Sequence, residues 1–122
     1  MRTVLSWSFR ALALGCLYAA IFHAASFFNG SLEPRMPAWE HALFVPINLL
    51  LIVGCLWRPR WFVIVFGLFT VQQLISHGRL GLIAWQQGVF DWRSLVVVVA
   101  MPLALLAFIY DARLRAADAA AR

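Results

Sequence analysis

The chain has 122 residues, of which 64% are hydrophobic and only 12% charged, and its mean hydropathy is +0.84. A water-soluble domain of this length keeps too much of its surface wet to hide that apolar fraction, which excludes an ordinary soluble fold and indicates a lipid-facing one. The formal charge of +5 does not mark a nucleic-acid binder, because the arginines stand at the ends of apolar runs rather than along one face.

Four runs approach the roughly 20 apolar residues that cross a hydrocarbon core; they cover 11–28, 38–57, 61–77 and 94–110. In the first, Cys16, Ala19, Ala20, His23 and Ser26 recur at helical spacing. They form a stripe of small or polar residues that lets another helix approach closely. The run continues well past Leu14-Gly15-Cys16, so it reads as an uncleaved helix rather than a signal peptide. Asn29-Gly30-Ser31, Pro34 and Pro37 then give an ordered loop.

In the second run His41 and Asn48 are seven residues apart and nearly aligned, with Cys55 continuing the line. Pro46 between them deprives the Ala42 carbonyl of its usual partner. Cys16 and Cys55 lie in separate apolar runs with no CxxC, so both read as buried free thiols. Only Arg58-Pro59-Arg60 separates the second run from the third, which makes those two an antiparallel hairpin.

The third run carries Thr70, Gln73 and His77 at three-and-four spacing, a polar stripe from mid-membrane to one surface. Residues 78–91 mix large apolar side chains with Arg79, Gln86 and Gln87, as suits a short segment lying in the membrane interface. Asp91 is placed to cap the fourth run. That run offers almost nothing polar, and Pro102 predicts a kink.

Orientation follows from arginine placement. Arg2, Arg10, Arg58, Arg60, Arg113, Arg115 and Arg122 fall on one side, which is therefore cytoplasmic. Arg35, Arg79 and Arg93 fall on the other, partly offset by Glu33, Glu40 and Asp91. Trp7, Trp57 and Trp61 at the inner boundary and Trp39, Trp85 and Trp92 at the outer one form the matching aromatic belts. The fold expected is an all-α membrane protein: a single-domain antiparallel four-helix transmembrane bundle with short loops and both termini cytoplasmic. All ten basic residues are arginine and the tail is rich in alanine, which points to a GC-rich bacterial genome and an inner-membrane location.

All three histidines then share the outer half of the membrane, where ionisable groups are candidates for function. The expected site is an outward-facing pocket in which His23, His41 and His77 hold zinc or copper, with Asn48, Thr70, Gln73 and Glu40 lining a ligand space. A b-type haem between His41 and His77 ranks below the transition metal. The rival class is a small membrane enzyme using His/Glu acid-base chemistry on a lipophilic substrate. A third is an accessory subunit that only packs against a membrane-protein partner or another copy of itself. A channel is disfavoured, because the polar stripes stop near Thr70 and Asn48.

Overall fold

The structure, a computed structural model, describes residues 2–33 and 36–121. Pro34, Arg35 and Arg122, which enter the loop reading and the arginine count, lie outside the described residues. Four helices account for nearly all of the rest: α1 (Arg2–Phe28), α2 (Ala38–Trp57), α3 (Phe62–Gln86) and α4 (Trp92–Ala120). Among the described residues, all four are long and apolar enough to cross a membrane. Large apolar side chains such as Leu14, Leu68 and Leu103 are 60–70% exposed, a surface that water would penalise and lipid tails would not. The described residues are thus all-helical apart from connections, with the helices of an integral membrane protein, the form of backbone a bilayer favours.

The helices outrun the apolar runs. α1 begins at Arg2, and α4 continues through the alanine-rich tail to Ala120, since alanine and arginine are among the strongest helix formers. α3 does not stop at His77 either. It passes through Gly78 and Gly81 to Gln86, so most of the segment expected in the interface is a continuation of α3. Each interior glycine costs about 1 kcal/mol relative to alanine, a penalty too small to break a helix flanked by arginine, leucine and alanine.

The chain forms two compact units, Met1–Arg58 with α1 and α2, and Pro59–Arg122 with α3 and α4. In the first, α1 buries Phe9, Ala13, Cys16, Ala20 and Ser26, a three-and-four repeat that is mostly small. α2 answers with His41, Asn48, Leu51, Gly54 and Cys55. Small side chains on both faces let the two backbones pack closely, which in lipid replaces the hydrophobic effect as the source of association. Of the expected α1 stripe, Cys16, Ala20 and Ser26 are buried and Ala19 and His23 half-buried, while the α2 line of His41, Asn48 and Cys55 is buried throughout; Cys16 and Cys55 are both buried free thiols.

α2 ends on Arg58 in the left-handed region (φ 52°), where its amide donates to the Gly54 carbonyl at 2.8 Å. Pro59 then forbids continuation. Left-handed geometry costs a non-glycine residue about 1 kcal/mol. The Arg58 guanidinium offsets this by lying 5.3 Å from the centre of the Phe9 ring. The loop after α1 is ordered as expected at Asn29, whose Oδ1 accepts from the Ser31 amide (3.3 Å) and hydroxyl (2.6 Å).

The second unit is built on an aromatic cluster. Phe62 and Phe66 on α3 meet Phe108 on α4, with ring centres 5.3 and 4.8 Å from it. All three are essentially fully buried. Further along α4, Asp111 is buried and pairs with Arg115 one turn on at 3.0 Å. α3 closes with a Schellman motif: the Val89 amide donates to Ala84 O (2.9 Å) and the Gly88 amide to Trp85 O (3.0 Å). That closure needs a left-handed residue, and Gly88 supplies it at φ 71°. Asp91 then caps α4 as the sequence predicts, its side chain accepting from the Ser94 amide at 3.2 Å.

Candidate functional site

Two polar centres stand out, one in each helix pair. In the first, His23 of α1 and His41 of α2 face each other with their Nδ1 atoms 2.9 Å apart. Neighbouring aromatics fix both rings. Phe44 stacks on His23 at 4.9 Å and 17°, and Phe22 presents its edge to His23 and His41. His41 is only 1% exposed and its Nε2 has no hydrogen-bond partner. Ser26, one turn beyond His23 on α1, is fully buried and its hydroxyl is likewise unpartnered.

In the second pair, three residues form a chain of hydrogen bonds. The Ser94 hydroxyl donates to Asp91 Oδ2 at 2.7 Å, and the His77 Nδ1 lies 3.2 Å from the same Ser94 oxygen. The capping bond from the Ser94 amide to Asp91 Oδ1 holds the serine in place from its backbone. His77, Asp91 and Ser94 line an open cleft of about 240 Å³ whose other walls include Trp85, Val89, Phe90, Leu95 and Val98. Gly81 lies opposite Ser94, where a β-carbon would come 3.5 Å from the serine's own. The cleft is therefore mostly apolar and aromatic, with a linked set of three polar side chains on its lining.

The residues singled out in the sequence divide accordingly. His23 and His41 come together, while His77 engages Ser94 in the second pair. The remaining polar candidates hydrogen-bond locally. Asn48 donates to the Phe44 carbonyl (2.8 Å) and Thr70 to the Phe66 carbonyl (2.8 Å), each one turn back on its own helix. Gln73 donates to Gln72 Oε1 at 2.7 Å, and Gln72 in turn to the Ser76 hydroxyl at 2.9 Å. Glu40 sits half-buried in the first turn of α2, where the helix dipole favours a carboxylate. Among the described residues, no three His, Cys, Asp or Glu side chains are gathered as a metal ion would need.

Sequence reasoning missed Ser94 and gave Asp91 a capping role alone; α4, expected to be nearly blank, supplies the polar partner of His77. The spacing Asp91-x-x-Ser94 at a helix start was a visible signal that both side chains gather at that end. A comparison with family models, curated proteins and solved structures finds no match for the chain.

Proposed function

We propose that this is a membrane-embedded binding protein whose second helix pair takes a small lipophilic ligand, in an antiparallel four-helix bundle with cytoplasmic termini. The observation that carries the reading is the cleft lined by His77, Ser94 and Asp91 among otherwise apolar and aromatic walls. Small-molecule sites have this character: mostly apolar surface with a few placed polar groups that set orientation. Exposed apolar helix faces would let such a ligand arrive through lipid. Arginine asymmetry supports the orientation, and the all-arginine usage supports a bacterial inner membrane.

Trp85 lines the cleft, so ligand entry should change its emission. Titrating purified protein in detergent with 4-hexylphenol should give a saturable fluorescence change. Trp85→Phe should remove that change, and Val98→Trp, which fills the cleft, should abolish binding. An undiminished change in both variants would place the ligand elsewhere and end the reading.

A second reading attaches to the first helix pair, because two imidazole nitrogens 2.9 Å apart can chelate one zinc or copper ion. Exogenous ligands would complete its coordination. Copper(II) added to the protein should then give a paramagnetic resonance spectrum with coupling to two nitrogens. His23→Ala and His41→Ala should remove that spectrum and His77→Ala should keep it. An unchanged spectrum in the first two variants would dismiss the site.

A further inference from the structure

We infer that the ligand of the α3–α4 cleft is a neutral lipophilic hydroxyl compound, an alcohol or phenol, whose O–H is received by His77 Nε2. The inference rests on the cleft being a binding site and goes further by assigning the direction of every proton in it.

A serine hydroxyl has one hydrogen to give. Ser94 gives it to Asp91 Oδ2, the shorter of the two contacts at 2.7 Å and one to a group that, when ionised, only accepts. The Ser94 oxygen can therefore only accept from His77, which must carry its proton on Nδ1 to make the 3.2 Å contact. In a neutral imidazole the other nitrogen is then an acceptor. Asp91 acts through Ser94 as a positioning residue, setting the tautomer of the His77 ring.

His77 lines the cleft and is half-buried, and among the described residues its hydrogen bond is made through Nδ1, not Nε2. A ligand that covers this nitrogen strips it of water, and an acceptor left unpaired in an apolar site weakens binding. The ligand must therefore bring a donor. A cationic head is poorly served, because the rest of the lining, Trp85, Val89, Phe90, Leu95 and Val98, is apolar and would strip its charge of water. A hydroxyl on an apolar body meets both requirements: the O–H reaches Nε2, and the body lies along Trp85, Val89, Phe90, Leu95 and Val98.

The test is a matched pair, 4-hexylphenol and its methyl ether 4-hexylanisole, which differ only in the donor. The phenol should bind about 10- to 100-fold more tightly, the range expected when a buried acceptor is left unpaired. His77→Phe should bring the two affinities together, while Ser94→Ala should shrink the difference without abolishing it. Nitrogen-15 resonance of labelled histidine should show His77 protonated at Nδ1 and bare at Nε2 in the unmodified protein, and Ser94→Ala should mix the tautomers. That measurement needs no variant to fold. Equal affinity for phenol and ether in the native protein, or a proton on Nε2, would overturn the ligand class while leaving the cleft as a site. Failure of both compounds to bind would remove the cleft reading and this inference with it.

Discussion

His23 of α1 and His41 of α2 meet through Nδ1 atoms 2.9 Å apart, so the Nδ1 of one ring donates what that of the other accepts. The pair works as a clasp between the two helices. Interhelical hydrogen bonds in membranes are worth about 0.6 kcal/mol on average and at most about 2 kcal/mol. A double-mutant cycle with His23→Ala and His41→Ala, read by unfolding in mixed micelles, should return a coupling of roughly that size. A coupling indistinguishable from zero would deny the clasp.

Asp91 ends the turn after α3 and begins α4, with one carboxylate oxygen on the Ser94 amide and the other on its hydroxyl. Asp91→Ala removes both bonds and should cost about 1 kcal/mol, the usual worth of an N-cap. Asp91→Asn keeps a capping oxygen and should cost only a few tenths of that. The same unfolding assay distinguishes the two. Equal losses would mean that charge at this position matters more than the cap.

The four helices were legible because length and hydropathy alone identify a run able to cross a bilayer. Helix ends were not. The run 61–77 stops where polarity returns, but the helix continues to Gln86, because helix propensity does not end with hydropathy. The true stop was one glycine, Gly88, at the position that needs a left-handed backbone. Buried stripes on α1 and α2 were readable from three-and-four spacing, which reports the face shown to a neighbour. The site was only partly readable. Periodicity placed His77 on the polar stripe of α3, yet its contact with Ser94 joins residues 17 apart in sequence on different helices. No local pattern fixes such a pairing. Asn48 and Thr70 show the opposite limit: their polarity was visible in the sequence, and the carbonyl one turn back to which each donates was not.

Glycine positions separate by backbone geometry. Gly88 has φ 71°, so Gly88→Ala should destabilise by about 1–2 kcal/mol through left-handed strain. Gly15 lies inside α1, and an added β-carbon there meets nothing within 4 Å. Gly15→Ala should therefore stabilise by up to about 1 kcal/mol. Thermal unfolding of both variants checks the pair. A stabilising Gly88→Ala would contradict the Schellman closure of α3.

Charge placement makes a prediction about topology. The proposed orientation puts Arg10, Arg58, Arg60, Arg113 and Arg115 on the cytoplasmic side, so a reporter active only outside the cytoplasm should be silent when fused after Arg122. It should be active when inserted after Gly30 or Gly88, in the connections that follow α1 and α3. An active C-terminal fusion would invert the protein and place the opening beside His77 on the cytoplasmic side.

Phe108 and Leu103 lie on the same helix and should respond oppositely to truncation. Phe108 is 2% exposed and closes the cluster with Phe62 and Phe66, whereas Leu103 is 60% exposed. Phe108→Ala opens a cavity among rigid rings and should cost about 3 kcal/mol, since the lost packing has no substitute. Leu103→Ala should cost almost nothing, because lipid tails are as apolar as leucine and occupy the vacated volume. Comparing the two in lipid bicelles tests the exposed face itself. A loss above about 2 kcal/mol at Leu103, the scale of cavity formation in a packed core, would mean that protein rather than lipid covers that side of α4.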